Sequence, residues 1–110
     1  MLAFEVKLNG KRICVAGMKD LAILNAGVTA AGPLGEKTVK VRPDEDREIF
    51  YSVSGLTGRR DPDTDVHVRW RSIEHIQVGD VLQIKVVETD QVDRPRSRKR
   101  RKRNTSLPES

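Results

Sequence analysis

Cys14, His67 and His75 are the side chains of this sequence best suited to nucleophilic or metal chemistry. A thiol attacks when a cationic or dipolar environment lowers its pKa and a base lies beside it. No signature spacing links Cys14 to either histidine. The opening strand pattern also sets it opposite Glu5, whose charge opposes thiolate formation. One cysteine and two histidines make a poor zinc ligand set. Asp61, Asp63 and Asp65 have the alternate spacing of the first ligands in a calcium loop. Counted from Asp61, however, the required glycine is Val66 and the required glutamate is Ser72. Asp44, Glu45, Asp46 and Glu48 sit too close together for two carboxyls facing each other across a cleft. Gly32–Gly35 and Gly55–Gly58 lack the Lys-Ser/Thr of a phosphate-binding loop, and no serine forms a nucleophile elbow. The expectation is a non-enzyme with no catalytic residues, no metal and no cofactor.

Two sets of cations remain. His67, Arg69 and Arg71 alternate with Val66, Val68 and Trp70, so a strand there would line three basic side chains along one face. Lys7 and Arg12 could extend that patch if their strands are neighbours. The plainer reading is a solvated sheet face balanced by acidic cross-strand neighbours such as Glu5 or Glu88. The second set is Arg94, Arg96, Arg98, Lys99, Arg100, Arg101, Lys102 and Arg103. Arginine dominates this run, which suits forked contacts to phosphate better than solubility alone. A dense basic run binds polyanions by releasing counterions and needs no fold to do so. Such runs also act as nuclear addresses or attach to anionic membrane surfaces. The sequence shows no RNA-recognition consensus, so sequence-specific recognition is not expected.

The distribution of charge divides the chain. The 110 residues carry a formal net charge of +5, yet residues 94–110 hold eight basic groups against Glu109 and residues 1–93 are net −2. Leu107 is the one strongly apolar side chain in the tail, so little burial could offset the entropy of ordering it. Residues 1–93 are therefore expected to form one domain, and 94–110 a disordered polybasic tail drawn loosely to the acidic loops at Asp44–Asp46 and Asp61–Asp65. Neither a transmembrane run nor a secretory signal is apparent, which places the chain in the cytoplasm, or in the nucleus if its source is eukaryotic.

Short alternating segments must position these side chains. Leu2–Leu8 alternates, Asn9-Gly10 is a two-residue turn pair, and Lys11–Val15 returns. A hairpin follows, with Leu8 facing Lys11, Val6 facing Ile13 and Phe4 facing Val15. Met18–Gly35 admits a short helix after Asp20 but leans to strand. Further strands are expected at Val39–Val41, at Ile49–Val53 (stopped by Ser54-Gly55), at Val66–Trp70 and at Val81–Val87. Six or seven short strands without a long helical period predict an all-β fold, a small antiparallel sandwich or barrel. The alternative is a β-grasp with one short helix. The Gly79-Asp80 approach to the last strand resembles that of sulfur-carrier proteins of that fold. Their Gly-Gly terminus has no counterpart in Leu107–Ser110, so a carrier function is not implied. The functional expectation is a non-catalytic binding or scaffolding module with a protein partner or larger assembly. The second is a nucleic-acid-associated protein that grips phosphates through its tail.

Overall fold

The computed structural model describes residues 1–58 and 64–102. They form seven strands: β1 (Leu2–Leu8), β2 (Lys11–Ala16), β3 (Leu21–Ala31), β4 (Glu48–Thr57), β5 (Thr64–His75), β6 (Leu82–Glu88) and β7 (Ser97–Lys102). All pair antiparallel within two sheets, ordered β2-β1-β6 and β3-β4-β5-β7. No helix occurs among the described residues, so the β-grasp alternative gives way to an all-β, two-sheet fold. Met18–Gly35 resolves in favour of strand.

Asn9-Gly10 makes the tight turn, with positive φ at both residues (52° and 82°). That geometry matches strand twist and is tolerated by this pair. The turn is tied to the one preceding β6. Asn9 Nδ2 donates to Asp80 Oδ1 (3.0 Å), the Val81 amide donates to Asn9 Oδ1 (2.9 Å), and the Gln77 amide donates to Asp80 Oδ2 (2.7 Å). Hydrogen bonds from Asn9 and the Gln77 backbone hold the Asp80 carboxyl below its ordinary pKa. Two sequence signals 70 residues apart thus form one corner of the first sheet.

The hairpin register departs from simple alternation. Leu8 faces Lys11 and Lys7 faces Arg12, but a bulge then shifts the pairing to Val6–Cys14, Glu5–Val15 and Phe4–Ala16. Ile13 is the extra residue. The shift turns Cys14 inward, where it joins Val6, Ala16, Tyr51, Val53, Val68 and Trp70 in the core. Bulges leave ladder groups unpaired and re-aim side chains, and the fate of the Ile13 carbonyl is central below.

Three other segments differ from expectation. Val39 and Val41 form no strand and stand 82% and 87% exposed in the β3–β4 connection. The Val41 amide goes instead to the Glu45 carboxylate (2.8 Å), closing a local turn. Ser54-Gly55 does not stop β4. A Cβ at Gly55 would lie 2.8 Å from the Ile23 carbonyl oxygen and from a Leu21 methyl, so this glycine permits close approach at a bulge in β3. Finally, the basic run is partly strand. Ser97–Lys102 pairs with Thr64–Arg69 as β7, four residues beyond Asp93. Backbone pairing to an available sheet edge, rather than burial, fixes this segment. Residues 103–110 lie outside the described residues.

The register yields a sharp contrast in the first strand. Val6 has no exposed surface and faces Cys14. Val6→Asp buries an unpaired charge and is expected to abolish folding or cost more than about 3 kcal/mol. Lys7→Gln loses only a 4.0 Å contact to Glu5 and should cost less than about 1 kcal/mol. Urea denaturation of the two variants checks both; equal losses would show that the face assignment of β1 is wrong.

Candidate functional site

The sequence pattern lines up His67, Arg69 and Arg71, but the structure separates them. β4 and β5 pair regularly at Leu56–His67, Gly55–Val68 and Ser54–Arg69, after which Val53 faces Arg71. Trp70 is skipped as a bulge. Val68 and Trp70 are both fully buried, so His67 and Arg69 take the outer face of the sheet. Past the bulge the alternation inverts, and Arg71 turns into the space between the sheets.

There Arg71 meets the second bulge. Its Nη2 donates to the Ile13 carbonyl oxygen (2.8 Å) and its Nη1 to the Trp70 carbonyl oxygen (2.6 Å). Two backbone acceptors near ladder irregularities are thereby satisfied by one guanidinium, whose fork spans them. Beside it, Trp70 Nε1 donates to the Asp93 carbonyl oxygen (2.7 Å). Asp93 in turn grips β2: its amide donates to the Val15 carbonyl (2.9 Å), and its carboxylate accepts from the Val15 amide (2.7 Å). Arg71 is thus a half-buried tie between sheets rather than a member of a surface patch.

The thiol fits the same picture. Cys14 is 1% exposed. Burial pushes its pKa up, Arg71 pulls against that shift and Asp93 adds to it. Burial, then the Glu74 charge, likewise raises Tyr51. Both groups are held protonated, the form in which neither is a strong nucleophile. The histidines stand elsewhere. His67 is on the outer face of β5, and His75 pairs with Glu48 (3.8 Å) and meets the edge of Phe50 (6.3 Å between centroids). Cys14, His67 and His75 do not converge. No cluster of three or more potential metal-binding side chains occurs among the described residues. Of the aspartates at 61, 63 and 65, the first two lie outside the described residues.

A different group of cations is brought together. From Asp93 the chain passes to the second sheet, where the Arg96 amide donates to the Arg69 carbonyl (2.8 Å) and Arg96 pairs with Glu74 (3.5 Å). β7 then runs along β5 with Ser97 opposite Arg69, Arg98 opposite Val68 and Lys99 opposite His67. Arg100, Arg101 and Lys102 continue the register opposite Val66, Asp65 and Thr64. Arg98 and Lys99 are exposed. Arg69, Arg98 and Lys99 form no ion pair among the described residues. The result is a basic sheet edge, with Arg94 and Arg96 at its start. Arg103 lies outside the described residues. Lys7 and Arg12 do not extend it: they belong to the first sheet, where both contact Glu5.

Alternation could not reveal this arrangement, because a bulge inverts faces without changing the composition of a strand. The one available signal was Trp70 beside Arg71, a bulky apolar side chain needing an acceptor for its N–H next to a long donor.

The two arginines of β5 should behave oppositely. Arg71→Met strands two partly buried carbonyls and is expected to cost about 1–3 kcal/mol. Arg69→Met, on the outer face, should stay within about 0.5 kcal/mol of the parent. Denaturant midpoints of the two variants provide the check; equal costs would contradict the inward placement of Arg71.

No protein-family model, curated protein or solved structure matches this chain, so its functional reading rests on the chemistry of its own side chains.

Proposed function

We propose that this protein is a non-catalytic binding module whose basic edge strand holds a phosphate-rich polymer, nucleic acid being the natural example. The observation that carries this reading is the placement of β7. The basic run lies in register along β5, with Lys99 beside His67 and Ser97 beside Arg69. Arg98 and Lys99, exposed and without an ion pair among the described residues, suit phosphate contacts that position a polymer without reading bases. Arginine adds a planar fork matched to phosphate oxygens. Ordering part of the run on a sheet lowers the entropy lost when it binds, relative to a wholly free tail.

The outer face around it offers few rings for base recognition. Leu56, Ser54 and Ser52 face outward on β4; the rings on this face are His67 beside Lys99, and Phe50, whose ring already meets the His75 imidazole. Specific single-strand readers stack bases on aromatic rings. The module therefore binds by charge, with little preference for sequence. An assembly that concentrates nucleic acid would use such a part as an anchor.

Salt titration tests this reading. Full-length protein should bind duplex and single-stranded oligonucleotides with an affinity that falls at least ~10-fold between about 50 mM and 200 mM salt. The log–log slope should be no steeper than about −0.9 for each phosphate neutralised by the eight basic groups. Arg98→Gln with Lys99→Gln should weaken binding to all sequences alike and flatten the slope by about 1–2. The same variant leaves Asp93 and Arg96 in place, so the fold is expected to persist by circular dichroism. A double variant that binds as tightly as the parent, or a strong preference for one sequence, would overturn the proposal.

A further inference from the structure

The four exposed sheet edges are not alike. β2 presents Val15 to Asp93, which occupies both its amide and its carbonyl. β6 carries Lys85 and Glu88, and β7 is almost wholly cationic. β3 differs from all three. It is eleven residues long, Leu-Ala-Ile-Leu-Asn-Ala-Gly-Val-Thr-Ala-Ala, with no charge and no proline, and it ends the four-stranded sheet. Its one register shift lies at the start, between Leu21 and Ile23. Long, flat, uncharged edges are templates for further strand pairing, and monomeric proteins blunt them with charges, prolines or bulges. From Leu24 to Ala31 this edge has no such protection.

We infer that β3 is a self-association edge, and that its occupant is β3 of a second copy of this chain. Antiparallel pairing about a two-fold axis at Ala26 sets Leu24 against Val28, Asn25 against Gly27 and Ile23 against Thr29 of the second copy. Every such pair joins residues of the same face. Leu24, Ala26 and Val28 are the inward side, since they pair across β4 with Gly55, Val53 and Tyr51. Val28, 52% exposed in one chain, then gains an apolar neighbour from the other. No like charges oppose, because the strand has none to oppose.

The charges at the two ends of the sheet decide in favour of a closed pair. β7, at the far edge, would repel another β7 and offers no partner to β3 in an uncharged register. Growth therefore stops at two copies, an isologous interface rather than an open filament. The four strands of each copy would join in one continuous sheet with a basic strand at both outer edges.

Sedimentation of the full chain, nuclease-treated and at physiological salt, tests this pairing through the outward residues Asn25 and Gly27. Asn25 is exposed, and a Cβ at Gly27 meets nothing within 4 Å, so neither change disturbs the core. The parent should show a concentration-dependent mass approaching two chains. Asn25→Lys with Gly27→Lys places like charges face to face and should leave one chain. Asn25→Glu with Gly27→Lys places opposite charges face to face and should restore two. Ile23→Cys with Thr29→Cys should give a covalent dimer on oxidation, while Cys14 stays buried. A parent that is monomeric at every concentration would overturn the inference, as would a dimer indifferent to the lysine pair, a charge-swapped pair that stays monomeric, or cysteines that do not cross-link.

Discussion

Two bulges, one in each sheet, meet at Arg71. The bulge at Ile13 releases a carbonyl from the β1–β2 ladder, and the bulge at Trp70 turns Arg71 toward it. Either irregularity alone would be costly. An unpaired carbonyl in a partly buried setting costs roughly 1–3 kcal/mol, and a desolvated guanidinium without acceptors costs more. Together they cancel, and the sheets are fixed in one relative register. Trp70 extends the tie by donating to Asp93, which already grips both backbone groups of Val15. Arg71 and Trp70, adjacent in sequence, thus hold β2, β5 and the chain leaving β6.

The basic edge inherits its position from this contact. Asp93 sits three residues before the Arg96 amide that first bonds to Arg69, and four before β7 begins. With Asp93 anchored under the Trp70 indole, the following segment has little freedom but to run along the β5 edge. The side chains of β7 add little to its placement beyond the backbone ladder, since exposed cations such as Arg98 and Lys99 contribute little to stability. The structural interior and the proposed polyanion surface are therefore coupled through one side chain. Cys14 lies within the same buried set, which explains why its thiol is pushed toward the neutral form.

Much of the framework was legible from residue pattern. Asn9-Gly10 announced the hairpin, and Gly79-Asp80 announced the entry to β6, because turns of this kind depend on a few residues with tolerant backbones. The all-β class followed from alternation in β1, β4, β5 and β6. What pattern could not reach were the bulges. An extra residue at Ile13 moved Cys14 from the outer face to the core, and the one at Trp70 removed Arg71 from the line of His67 and Arg69. Both depend on a partner strand far away in sequence. β7 was hidden for a related reason. Strand prediction follows side-chain burial, whereas Ser97–Lys102 is held by backbone bonds to β5 and by an anchor at Asp93. Val39 and Val41 failed in the opposite sense, with strand-forming residues in a connection where the Val41 amide turns to the Glu45 carboxylate instead of a strand.

The Trp70–Asp93 contact places the basic strand. Trp70→Phe keeps an aromatic ring in the core and removes the N–H that bonds the Asp93 carbonyl. Amide hydrogen exchange resolved along the chain reports the consequence directly. Protection should fall at Arg96 and through residues 97–102, and at Val15, while the pairing of β1 with β6 and of β3 with β4 keeps its protection. Unchanged protection through β7, or an equal loosening of every strand, would contradict that placement.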